Sequence, residues 1–182
     1  MQKTLDLFFA EIGPRAFRFA ELGLRNRDDA LDAVQDAMLK MMQYRDAPAT
    51  EWTPIFWKIL RNRIVDFQRR ATLRLRWLTQ PKANTQEDSD WEPDWQGVDH
   101  DDPAGMLQAR QTYSALATAL TALPARQREA FYLRVVEQLD VAQTAAVMGC
   151  SEGSVKTHLS RARQAIDATI QPDDSSPNFR SL

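Results

Sequence analysis

Apolar residues recur along this chain at intervals of three and four, the spacing of helices that bury one face. Leu31, Val34, Met38 and Met41 form one such stripe, after Asp28 and Asp29, whose carboxylates suit the start of a helix. A second helix is predicted from about Pro54, a favoured first-turn residue, to about Trp77, with Phe56, Leu60, Ile64 and Phe67 on one face. Lys58, Arg61, Asn62 and Arg69 lie broadly opposite, whereas Arg63 falls on the apolar side without an evident reason. Further on, Leu107, Leu116, Leu120 and Leu123 predict a helix from near Met106, and Pro124 opens another that carries Phe131, Leu133 and Val135. No β-rich alternating segment stands out and glycine is scarce, so the fold class is predicted to be all-α.

The most informative pattern runs from Leu139 to Ile170. Asp140 can cap a short helix to Met148, Gly149 sits where a helix commonly ends left-handed, and Ser151 can cap the next helix. In that helix Val155, Leu159, Ala162 and Ile166 make a packing stripe, leaving Lys156, Thr157, Ser160, Arg161 and Arg163 on other faces. Two short helices, a glycine turn and a cationic second helix describe a helix-turn-helix, whose second helix enters the major groove. A plain helical hairpin with a solvated basic face has the same pattern. Glu152 either accepts from a cytosine amino group or only favours the helix dipole.

Composition breaks once. From Thr79 to Gly105, Glu87, Asp88, Asp90, Glu92, Asp94, Asp99, Asp101 and Asp102 stand against Lys82 alone, with Pro81, Pro93 and Pro103 among them. Two small helical domains are therefore expected, 1–78 and 106–171, joined by an acidic linker over 79–105 and followed by a flexible tail over 172–182. The 182 residues, 43% hydrophobic, suffice for them. The net charge of -2 does not favour nucleic acid, so the distribution of charge decides. Between Pro54 and Trp77 lie Lys58, Arg61, Arg63, Arg69, Arg70, Arg74 and Arg76 against Asp66, interleaved with aromatics. Cations neutralise phosphate, and aromatic faces stack on unpaired bases. Phe56 and Phe67 read as core. Trp52 and Trp57, near the helix start, are the better candidates for exposure and base contact.

Other chemistry is poorly represented. One cysteine, Cys150, excludes a disulfide within the chain, and with two histidines it argues against a protein-only zinc site. No glycine-rich phosphate loop, metal-ligand spacing or nucleophile with a histidine partner is found, so no catalytic residue, metal or cofactor is expected. No apolar run approaches the roughly 18 residues of a membrane span, and the first residues lack a secretory signal. A cytoplasmic protein without membrane insertion is expected.

Taken in order, three segments resemble the sigma-70 family of bacterial transcription initiation factors, and within it the short extracytoplasmic-function (ECF) group that keeps the second and fourth sigma domains. Residues 28–37 (DDALDAVQDA) are similar to the acidic segment that docks on the polymerase clamp. Residues 59–70 (ILRNRIVDFQRR) are similar to the helix that engages and melts the minus-ten element. Residues 123–131 (LPARQREAF) through 149–163 (GCSEGSVKTHLSRAR) are similar to the domain that binds the minus-thirty-five element. The resemblance implies that Asp32, Gln35 and Asp36 meet core RNA polymerase. It implies that Lys58, Arg61, Asn62, Arg69 and Arg70 lie along minus-ten DNA, and that the loop near Asp46 to Thr53 holds a flipped base. Ser154, Lys156, Thr157, His158, Ser160 and Arg161 would serve the minus-thirty-five element. The linker would thread towards the polymerase cleft, either as a nucleic-acid mimic or as a solvated spacer.

The chain departs from the family in places. Ile55 stands where a tryptophan is frequent, with Phe56 and Trp57 after it. Asp140 to Ala145 lack the usual serine-aromatic start, and His158 replaces a common arginine. The family also implies promoter DNA and an anti-sigma protein or other regulatory partner. A regulator that uses its helix-turn-helix alone on duplex DNA is the competing reading; polymerase binding separates the two.

Overall fold

A computed structural model describes the backbone of residues 4–78 and 116–170 and the side chains of 4–73 and 116–169. The expected linker, the start of the second block near Met106, Leu107 and the tail lie outside the described residues, as do the side chains of Arg74, Arg76 and Trp77. Every regular element among the described residues is helical. They fall into two compact units, one of residues 4–78 with 142–150, the other of 116–141 with 151–170.

The first unit opens with α1 (Leu5–Leu24), capped by the Thr4 hydroxyl, which accepts from the Leu7 N–H at 3.4 Å. Its apolar stripe buries Phe8, Ile12, Ala16, Phe19 and Ala20. The helix ends on Arg25, whose N–H donates to the Glu21 carbonyl while its backbone turns left-handed at φ 51. A side chain with a Cβ holds that conformation at a cost of roughly 1–2 kcal/mol. Helix α2 (Arg27–Met41) then starts on Asn26, whose side-chain carbonyl accepts from the Asp29 N–H at 2.9 Å. The expected capping pair Asp28-Asp29 thus lies in the first turn, where it favours the helix dipole.

The buried face of α2 is Ala30, Ala33, Val34, Ala37 and Met41. This corrects the expected stripe: Leu31 is 42% exposed, because small alanines one position away take the inner face and let neighbouring backbones approach. A short 3-10 turn (Met42–Tyr44) leads to α3 (Ala49–Leu78), which begins a turn earlier than the sequence predicts and carries Pro54 inside it. Starting at Ala49 brings Trp52 into the helix, in register with Phe56, Trp57, Leu60 and Ile64, all buried. Phe8 meets Trp52 and Phe56 edge-on at 5.7 and 5.8 Å, and Phe19 meets Trp57 at 5.2 Å. Such tilted aromatic pairs add about 0.5–1.5 kcal/mol each beyond the area they bury. At the far end of α1 the Gln68 amide donates to the Gly23 carbonyl at 2.9 Å. Gly23 is also needed for space: a Cβ there would stand 3.0 Å from Ile64 Cγ2.

In the second unit, helical residues 116–122 form α4, followed by α5 (Ala125–Phe131), a π-helical turn (Tyr132–Val136) and, after Val141, α7 (Glu152–Ile170). Ala119, Leu120 and Leu123 pack with Ala162 and Ile166 of α7, and Leu116 and Phe131 close the cluster. The end of α4 is satisfied by Arg128, a buried cation whose Nη1 donates to the Thr121 and Leu123 carbonyls at 3.3 and 3.5 Å. A positive group there also suits the negative end of the helix dipole. Gln138, after the π turn, is left-handed at φ 55. The short helix α6 (Val141–Met148), which beyond Val141 groups with the first unit, starts directly after Asp140 and buries Thr144, Ala145, Val147 and Met148.

Candidate functional site

Local hydrogen bonds at the start of α7 define how it presents its side chains. Gly149 ends α6 left-handed at φ 62, and the Cys150 N–H donates to the Ala145 carbonyl at 3.1 Å, closing the helix end. Ser151 then caps α7: its hydroxyl accepts from the Ser154 N–H at 3.1 Å and lies 2.9 Å from the Ser154 hydroxyl. Inside the helix Val155 and Ala162 are fully buried and Ile166 nearly so, with Leu159 half-buried beside them. That stripe fixes the rotation of α7. Lys156, Thr157, Ser160, Arg161 and Arg163 are exposed, and Ser154 and His158 are half-buried. Lys156 and Ser160, and Thr157 and Arg161, are spaced by four and form two adjacent rows. The Thr157 hydroxyl donates to the Gly153 carbonyl at 3.0 Å, so towards solvent it offers acceptor lone pairs. Cations and hydroxyls in this array suit phosphate oxygens and base edges alike.

Helix α3 carries a second cationic surface. Lys58, Asn62, Arg69 and Arg70 are exposed and Arg61 is half-buried. Trp52 and Trp57 are not part of it. Trp52 is 5% exposed with its indole N–H donating to the Ala47 carbonyl at 2.9 Å, and Trp57 is fully buried. The expectation that both stand exposed for base contact is corrected: α1 supplies Phe8 and Phe19 as partners for them. Phe67 is only half-buried. The loop expected over Asp46 to Thr53 also narrows to 45–48, because Ala49 already starts α3. Tyr44, 40% exposed just before this loop, is an aromatic face that periodicity does not single out.

On α2, Asp32 and Gln35 are exposed and Asp36 is half-buried. Asp36 Oδ2 lies 3.9 Å from Arg63 Nε, which accounts for the arginine that the helical wheel leaves on the apolar side of α3. The pair is partly exposed, so its contribution to stability is at most about 1 kcal/mol. It orients a carboxylate on the α2 surface. Next to these polar groups Leu31, Leu39 and Met42 are 42, 66 and 52% exposed. Sequence reasoning missed the last two, and the signal was available: apolar residues off a face already filled by alanines. Among the described residues no group of three His, Cys, Asp or Glu could hold a metal, and no helix is long and apolar enough to cross a membrane.

Comparison with known proteins converges on one family. Residues 113–166 match the family model described as Sigma-70, region 4. The chain is 30% identical to the ECF RNA polymerase sigma factor SigM of Mycobacterium tuberculosis strain H37Rv, over 97% of this chain and 82% of the relative. Over 38% of this chain it is 31% identical to the ECF RNA polymerase sigma-E factor of Escherichia coli K12, covering 37% of that protein. Among solved structures it is similar to the sigma factor RpoE of Bartonella quintana, crystallised in complex with the anti-sigma factor NepR. There the TM-score is 0.60 and the identity 26%, over 93% of this chain and 98% of that one.

Proposed function

Because the chain belongs to the ECF sigma factors of the sigma-70 family, and so is a transcription initiation factor, we propose that separate surfaces divide its work. The face of α2 with Asp32, Gln35 and Asp36, widened by Leu31 and Leu39, docks on core RNA polymerase. Exposed carboxylates beside exposed leucines give such a contact both charge complementarity and apolar area. Lys58, Arg61, Asn62, Arg69 and Arg70 of α3 follow minus-ten DNA, and the 45–48 loop with Tyr44 receives an unpaired base. Lys156, Thr157, Ser160 and Arg161 of α7 read the minus-thirty-five element, with Ser154 and His158 at their flank. Two modest DNA contacts on one chain gain from effective concentration once polymerase fixes their spacing.

The protein brings specificity and the polymerase does the chemistry, so the chain has no catalytic residue of its own. It acts in the cytoplasm, where promoter and polymerase are, and a regulatory protein of the anti-sigma kind holds it in check. The observation that carries this reading is the division of α7 into a buried apolar stripe and an exposed row of cations and hydroxyls.

Its test is selection from a pool of randomised duplexes by core polymerase with and without the chain. The expected result is enrichment only when the chain is present, of duplexes sharing two short blocks at fixed separation. Enrichment of a single inverted repeat, obtained without polymerase, would instead identify a regulator that acts alone.

A further inference from the structure

Gly153 lacks a side chain for no reason internal to the fold. Glycine weakens a helix, because it has more backbone freedom to lose than any other residue. At the other described glycines a reason is visible. Gly149 is left-handed at φ 62, and a Cβ would stand 3.0 Å from Ile64 at Gly23 and 3.4 Å from Met38 at Gly13. Gly153 lies within α7, in its exposed first turn. Beyond its chain neighbours and its own helix backbone, a Cβ there would meet only the Ser151 Oγ at 3.9 Å, an ordinary contact. The cap does not call on it either, since the Ser151 hydroxyl accepts from the Ser154 N–H. Gly153 is kept at some cost to the helix, and what it provides is open space on the outer side.

Where that space lies indicates its use. Lys156, Thr157 and Ser160 follow Gly153 at spacings of three, four and seven, so Gly153 heads the exposed face that they share. Two of these side chains are short, and the Thr157 hydroxyl is folded back on the Gly153 carbonyl at 3.0 Å. Such groups touch base edges only if the helix backbone itself comes close. A helix that enters the major groove brings its N-terminal turn nearest the bases, so a side chain at the head of this face would hold the rest of it off. Further along the same face stands Asp167, exposed, whose carboxylate repels phosphate. Close approach is thereby confined to the first turns of α7, where Gly153 is.

We propose that Gly153 sets the clearance between α7 and promoter DNA. Its bare backbone lets the first turn seat deeply enough in the major groove for Thr157 and Ser160 to reach base edges. Gly153 is a positioning residue that acts through those side chains. The proposal rests on the reading of α7 as the helix that reads the minus-thirty-five element.

The test uses the full chain assembled with core polymerase, and as probe the duplex that the wild-type assembly enriches from the randomised pool. Gly153→Ala should hold the thermal midpoint of the chain or raise it by up to about 4 °C. It should nevertheless weaken probe binding about threefold to tenfold, and Gly153→Leu about a hundredfold. The slope of log K against log salt should not change, because no cation is removed. Selection repeated with the Gly153→Leu assembly should still enrich the minus-ten block and lose the other. Ala165→Leu, which adds the same bulk to an exposed position of α7 outside this face, should leave binding unchanged.

A loss of affinity that grows with side-chain size while stability holds would support the proposal. Wild-type affinity in both Gly153 variants would overturn it, and sensitivity to Lys156→Ala/Arg161→Ala would then leave the DNA reading of α7 standing. A lowered midpoint in Gly153→Ala would also overturn it, since the glycine would then serve the fold, as would an equal loss in Ala165→Leu. If the wild-type assembly enriches no duplex, the DNA reading of α7 fails first, and the proposal falls with it.

Discussion

Trp57→Ala is expected to cost about 3–5 kcal/mol of stability, most of what a small domain has to spare. Trp57 is fully buried, with Phe19 at 5.2 Å and Phe56 at 5.9 Å, both nearly perpendicular to it. Truncation removes the largest fully buried side chain of the α1–α3 core and leaves a cavity that a close-packed interior closes only in part. The two aromatic contacts are lost as well. Urea unfolding of the full chain, followed by far-UV circular dichroism, would read the effect as a fall in midpoint for the helices of the first unit. Trp57→Phe should lose much less, because a ring still fills the site. Loss of DNA binding without loss of stability in Trp57→Ala would instead restore the base-contact role that the sequence suggested.

The second large effect is expected on α7. Replacing Lys156 and Arg161 together by alanine should weaken binding of the polymerase assembly to its selected duplex on the order of a hundredfold, since a good base or phosphate contact is worth about 1–3 kcal/mol. Both residues are exposed and outside the buried stripe of Val155, Ala162 and Ile166, so thermal stability should stay within about 0.5 kcal/mol. Filter binding at a series of salt concentrations separates the contributions. A residue on phosphate lowers the salt slope by about one, whereas a residue on a base edge relaxes the preferred sequence. Undiminished binding by the doubly substituted protein would remove α7 from the promoter contacts.

Why α7 was legible and the α1–α3 core was not follows from where the information lies. On α7, period, cap and stop signals are all local: Ser151 caps, Gly149 turns left-handed, and the stripe from Val155 to Ile166 faces inward. Nothing distant had to be known. The fate of Trp52 and Trp57 depended on α1, a helix whose Pro14 and scattered aromatics gave no clean sequence signal. Once Phe8 and Phe19 are placed, the tryptophans have partners and the inner face of α3 is settled.

Leu31 was misread for a related reason. A wheel weights leucine above alanine, whereas close packing of α2 favours Ala30, Ala33 and Ala37 on the inside. Arg63 needed its partner Asp36 on another helix, and no pattern within α3 could supply it. Arg25 was invisible to periodicity altogether, because its oddity is a backbone angle.

Co-migration of the purified chain with bacterial core RNA polymerase on size exclusion at moderate salt tests the central claim most directly, with Gln35→Ala/Asp36→Ala measured alongside. The expected result is a stable assembly with the wild-type chain that is lost in the doubly substituted one, whose own fold is unchanged. A well-folded wild-type chain, free of any regulatory partner, that elutes apart from polymerase would contradict it.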